Sequence, residues 1–222
     1  LGLDLEERRH IRTFEEALRA LIAQADALGV LVMCSGVVFS NNKRKLDRDE
    51  FRGFAMSDNL APLIFINGSD SKSAQMFTLT HELAHIWAGA SAVSNAQASS
   101  ATGNSVERWC NQVAAEVLVP LADFKQQYQR ENTVAPELDR LARRYKVSSL
   151  VILRRMHDAG GLTDDELWRA YHAELKKLEA LKKTSGGGDF YLTTAARVSK
   201  RFARALVAST LEGQTMYREA FR

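Results

Sequence analysis

The chain has 222 residues, 45% hydrophobic and 26% charged, enough to bury a core of its own and to form one compact unit with an appended helical part. A net charge of +3 is too mild to argue for nucleic-acid binding. Two cysteines without framework spacing exclude a disulfide scaffold.

Residues 1–12 mix charges without an apolar signal core or cleavage site, and no run is long enough to span a membrane. The chain starts at Leu1 and ends at Phe221-Arg222 inside a helix-like pattern, so it reads as a trimmed or partial sequence. Residues 14–28 carry a helical period closed by Gly29, and 30–34 with 36–39 read as strand material around a turn. The mixed charge run 41–50 reads as a solvated hairpin loop, with a substrate-contacting flap as the alternative. Residues 51–57 and 63–67 then supply two further strands of a small sheet. An extended peptide can add itself to a sheet edge, and 63–67 is the expected edge, an internal place being the alternative.

The run 76–88 contains His81-Glu82-Leu83-Ala84-His85. On a helix this spacing puts two imidazoles one turn apart on one face, where both can reach a single Zn²⁺ at about 2.0–2.1 Å. Glu82 points toward the same cleft and can act as a general base on the attacking water. Phe77, Leu79, Leu83, Ile86 and Trp87 form an apolar stripe of helical period, which argues against two solvated histidines beside a surface acid.

A catalytic zinc needs a third protein ligand and an open position. Glu107 is the first candidate, after 21 intervening residues beyond His85, at the start of a helical run 106–120 stopped by Pro120. Trp109, Val113, Val117 and Leu118 recur at helical spacing, placing Glu107, Cys110 and Asn111 on a face that can meet the first helix. Cys110 is a rival ligand as a thiolate, with a small core hydrophobe as its ordinary role. Glu116, more than two turns from Glu107, reads as a structural or solvated carboxylate. Asn111 is placed to accept the free N–H of a ligating His and fix its tautomer, or is a plain surface amide. The joining segment 90–105, rich in Ser, Ala, Asn and Gln, reads as a mobile loop, a lid or a simple bridge.

Beyond Pro120 the pattern is helical over 121–130, 135–145, 148–159 and 163–183. The pair 138–145 and 149–157, with Arg154 and Arg155, resembles a helix-turn-helix that could enter a DNA groove. A trihelical support packed on the rest of the chain is the favoured alternative, because Leu150, Val151, Ile152 and Leu153 are too apolar for exposure. His157 and His172 read as ordinary histidines. Ser185-Gly186-Gly187-Gly188-Asp189 is a linker by composition. Residues 191–211 carry Arg197, Lys200, Arg201 and Arg204 opposite Val198, Phe202, Ala205 and Leu206, a basic face on a packed or partner-binding helix. Binding to a membrane or an acidic partner is the minor alternative. Cys34 and Cys110 sit in apolar contexts, which points to a reducing, cytoplasmic setting.

Four stretches together resemble the ImmA/IrrE family of bacterial metallopeptidases: 53–58, 62–67, 75–87 and 107–120. The resemblance implies an α+β, zincin-like fold, with a small sheet and an active-site helix followed by a helical, helix-turn-helix-like part. It implies Zn²⁺ held by His81, His85 and Glu107, with Glu82 as catalytic base. It also implies a protein substrate, a helix-turn-helix repressor in phage, mobile-element or stress control. The division expected is a metallopeptidase domain at 1–130, a helical region at 131–184, and a linker with a C-terminal helical segment at 185–222. DNA is the less favoured partner, no membrane partner is expected, and the oligomeric state is left open. The competing functions are a DNA-binding regulator and a zinc-stabilised sensor without catalysis.

Overall fold

In the computed structural model, residues 5–39, 41–94, 105–181 and 197–220 are described. Chain order runs α1 (Leu5–His10), α2 (Phe14–Ala27), β1 (Leu31–Ser35), β2 (Gly53–Met56), β3 (Leu63–Asn67), α3 (Lys72–Trp87), β4 (Ala92–Ser94) and α4 (Ser105–Leu118). There follow α5 (Leu121–Gln127), α6 (Val134–Tyr145), α7 (Ser149–Asp158), α8 (Asp164–Leu181), α9 (Lys200–Leu211) and α10 (Tyr217–Ala220). The arrangement is α+β and zincin-like: a small sheet, an active-site helix against it, and a helical C-terminal part. Among the described residues no helix is long and apolar enough to cross a membrane.

The sheet order is β1-β3-β2-β4, with β1 parallel to β3 and both other pairings antiparallel. Strand β3 is therefore internal, which corrects the expected edge at 63–67. Its burial fits that place, since Ile64 and Ile66 are fully buried on one face and Asn67 is buried at its end. Residues 36–39 do not continue β1. They enter a hairpin-like loop closed by a single bridge between Val37 and Lys45, with its charged residues exposed except Arg48, which is half-buried. The expected loop 90–105 begins instead with edge strand β4; its residues 95–104 lie outside the described residues, as do the linker at 185–189 and the start of the 191–211 run.

Helix α2 opens with a capping box, in which Thr13 Oγ1 accepts from the Glu16 amide and the Glu16 carboxylate accepts from the Thr13 amide. Helix α3 starts earlier than the apolar stripe alone indicates, because Ser71 caps it and two buried amides brace the turn before it. Asn67 donates to the carbonyls of Asp47 and Phe51, and Gln75 to those of Gly68 and Asp70. These buried amides find their hydrogen-bond partners in the carbonyls of the adjoining loops. Helix α3 then packs against the sheet, α2 and α4.

The first helix was not evident from its charged sequence. Arg8 is nevertheless buried, and its guanidinium donates to the carbonyls of Val117 and Leu118 at the end of α4. That supplies the basic C-terminal cap that α4 lacks in its own last turn.

The pair α6 and α7 is joined by Lys146 in the left-handed region, at φ 55°, and by Val147 and Ser148. Helix α7 buries Ile152, Leu153, Arg155 and Met156, and the Arg155 guanidinium donates to Glu116 of α4 at 2.8 Å and to Asp158 at 3.2 Å. A continuous buried cluster includes Leu21, Ile64, Leu83, Leu118, Leu141 and Ile152, so the helical region shares a core with the sheet and α3. On and just before α9, expected as a packed or partner-binding helix, Val198, Phe202 and Ala205 are exposed and Leu206 is half-buried, while Ser199 and Thr210 are buried.

Candidate metal centre

Residues 75 to 85 of α3 are buried with one exception, Phe77. Burial of His81, Glu82 and His85 in an apolar helix requires that their polar atoms meet partners. His81 and His85 lie one turn apart and turn their Nε2 atoms toward each other, 3.1 Å apart. Helix α4 runs alongside so that Asn111 meets His81 and Glu107 meets both histidines. The Glu107 carboxylate oxygens lie 3.2 Å from His81 Nε2 and 3.2 Å from His85 Nε2.

Close approach of the two helices depends on small residues. The buried positions of α4 are Cys110, Ala114 and Leu118, one turn apart, on the face that also carries Glu107 and Asn111. The expected core stripe of Trp109, Val113 and Val117 lies on another side, with Trp109 43% exposed. Glu107, Cys110 and Asn111 thus lie on the α4 face that meets α3, as their spacing indicated.

His81 Nε2 and His85 Nε2, 3.1 Å apart and each 3.2 Å from a different Glu107 oxygen, Oε2 and Oε1 respectively, stand at spacings close to those of a tetrahedral zinc, whose ligand atoms at bond lengths of about 2.0–2.1 Å are separated by about 3.3–3.4 Å. Crowding two imidazole lone pairs and a carboxylate is unfavourable unless a cation lies among them, and two histidines with a carboxylate are a donor set zinc favours. Among the described residues His81, His85 and Glu107 form the group able to hold a metal. Burial holds the His81 pKa below its ordinary value, helped by neighbouring His85 and opposed by Glu107 and Asn111. The neutral imidazole so favoured is the form that binds metal.

His81 Nδ1 lies 3.0 Å from Asn111 Oδ1. With the proton on Nδ1 donated to that carbonyl oxygen, Nε2 keeps its lone pair for the metal. His85 Nδ1 is buried with no hydrogen-bond partner among the described residues, so its tautomer has no matching support.

Cys110 does not join the donor group. It is fully buried, and burial, reinforced by the Glu107 and Glu82 charges, pushes its thiol to about 11, so it packs as a protonated side chain. Glu116 accepts from Arg155 and from the Leu121 amide, the structural role expected of it. His157 pairs with Asp164, and His172 Nδ1 donates to the Trp168 carbonyl; both lie outside the centre.

Glu82 is fully buried and lies against β2 at a position sequence reading missed, Gly53. A Cβ built there would stand 3.5 Å from Glu82 Oε1 and only 2.5 Å from Thr78 Cγ2. Glycine inside a strand is a signal of close backbone approach, and here the approaching element is the active-site helix.

A family model described as the IrrE N-terminal-like domain, a peptidase family, matches residues 25–157. That is more than half of the chain, and it takes in the sheet and both helices of the centre. A domain of unknown function matches residues 198–222, the segment with α9 and α10. No curated protein matches the chain.

Proposed function

The chain belongs to the IrrE N-terminal-like peptidase family, and from that premise we propose that it is a zinc-dependent endopeptidase acting on a helix-turn-helix transcriptional repressor. The observation that carries the zinc assignment is the convergence of His81, His85 and Glu107 from two neighbouring helices. The repressor is supported by the sequence resemblance to the ImmA/IrrE family. The buried, free Cys34 and Cys110 support action in a reducing compartment, the cytoplasm.

In this reading His81, His85 and Glu107 hold the ion, and Asn111 fixes the His81 tautomer. When bound, zinc supplies Lewis acidity toward the scissile carbonyl and toward water. Glu82, buried between α3 and β2, takes the proton of the attacking water and delivers it to the leaving amine. Its burial keeps competing solvent away from the carboxylate. Strand β4 is hydrogen-bonded to β2 on one side, so its other edge can take an extended substrate segment by backbone pairing.

Helix α7 supports the packing role of the helical region over a DNA-reading one, because Arg155 is buried and committed to Glu116 and Asp158. The test is to combine the purified, zinc-loaded chain with the repressor encoded beside it and follow cleavage. Glu82→Gln is expected to retain zinc and fold while abolishing the cut. Cleavage by that variant at the wild-type rate would remove the base assignment, and no zinc-dependent cleavage by the wild type would remove the substrate assignment.

A further inference from the structure

Helix α3 leaves one side chain of its central run partly exposed beside the metal centre, although that side chain also packs on the core. Every residue from Gln75 to His85 is buried except Phe77, which is half-buried and lies one turn before His81 on the same face. Its ring packs on the His81 ring with centroids 6.4 Å apart and planes tilted by 31°. An aromatic side chain at such a place would ordinarily be covered, since burying it contributes more than burying its polar neighbours. Beyond the centre in the other direction the helix ends in Ala88 and Gly89, both exposed and offering almost no side-chain surface. Along the line of His81 the helix is thus asymmetric, with the Phe77 ring one turn before it and the small Ala88 and Gly89 after it, the exposed Trp87 lying on another side.

We propose that Phe77 is a specificity-determining residue, forming the wall of an apolar subsite that receives the substrate side chain next to the scissile bond. The proposal rests on the zinc-peptidase reading above and goes further by stating what the cleaved sequence must contain. A substrate residue lying over Phe77 exchanges water on both apolar surfaces for contact with the ring, so Leu or a similarly large apolar residue is preferred over Gly. The other side of the scissile bond lies toward Ala88 and Gly89, whose side chains add little surface on that line of the helix, and selectivity there is weaker.

The test uses the zinc-loaded full chain and two series of short peptide hydroxamates, one extending from each side of the chelating group. Within each series the members differ only in carrying Gly or Leu next to the chelator. Binding is read by calorimetry, which needs no turnover. In one series the Leu compound is expected to bind at least about 10-fold tighter than the Gly compound, the scale of small apolar differences in a pocket. Phe77→Ala should bring that ratio to within about 3-fold with zinc affinity unchanged. Phe77→Trp should reverse it by filling the space. Wild-type binding of hydroxamates without Leu preference in either series overturns the subsite, as does a preference that survives in both variants. A wild type that binds neither zinc nor any hydroxamate overturns instead the zinc-peptidase reading.

Discussion

Gly53→Ala isolates the contact between β2 and the active-site helix. The added Cβ would lie 2.5 Å from Thr78 Cγ2 and 2.8 Å from the Phe65 carbonyl oxygen, separations that real Cβ atoms do not adopt. The Phe65 carbonyl belongs to a neighbouring strand and cannot rotate away, and Thr78 is buried in α3, so strand and helix must part slightly. Overpacking of this kind costs about 1–3 kcal/mol. Stiffening of the unfolded chain returns about 0.4–1 kcal/mol. The net loss of about 1–2 kcal/mol corresponds to a fall in Tm of roughly 2–8 °C for a chain of this size. Thermal unfolding followed by circular dichroism, with urea titrations to check that the m-value is preserved, measures it. Thr78→Ser deletes the offending methyl group and keeps the hydroxyl, so the double variant should recover part of the loss, the Phe65 contact remaining. A Gly53→Ala protein as stable as wild type, or a double variant with no recovery, would refute the packing argument.

Asn111→Ala should lower zinc affinity by about 10–100-fold, the usual effect of removing the partner of a ligating imidazole, measured by competition with a chromogenic chelator. Unchanged affinity would leave Asn111 without a part in the centre. Chelation of the metal should lower Tm, and zinc should restore it, because an ion bound only by the folded state stabilises that state; an unmoved midpoint would contradict the buried site. Glu137 is held at about 2, chiefly by its hydrogen bonds from Arg140, against a usual carboxylate value near 4.5. A depressed folded value means its contribution is complete above about 4.5 and is lost as pH falls toward 2. Urea midpoints at stepped pH should therefore fall less steeply through that window for Glu137→Gln than for wild type, and parallel curves would sink the assignment.

The histidine pair was legible because a four-residue spacing has one consequence on a helix, and Glu107 because the ion needs a third donor within reach of the same face. The α4 face that carries Glu107, Cys110 and Asn111 was legible from their spacing; the exposure of Trp109 and the partial exposure of Val113 and Val117, the more hydrophobic set, was not, the buried positions being Cys110, Ala114 and Leu118. Hydropathy ranks side chains by affinity for an interior and is silent on how near two backbones must come. The position of β3 could not be read because alternation reports which faces of a strand are covered, not which strands flank it. Strand β4 escaped notice because a three-residue edge strand is defined by its backbone pairing with β2 and needs no side-chain signature. Helix α1 escaped for the opposite reason: its inward-facing residue is an arginine that propensity and pattern both assign to solvent.

That arginine has a practical bearing on how the molecule can be divided. The family match begins at residue 25, which leaves α1 and most of α2 outside it. Yet Arg8 grips the far end of the helix whose near end carries Glu107, so an excision following the homology boundary would strip away a tether of the helix that supplies the third donor of the candidate centre. A fragment trimmed in that way could retain every residue of the catalytic signature and still present its glutamate from a frayed support.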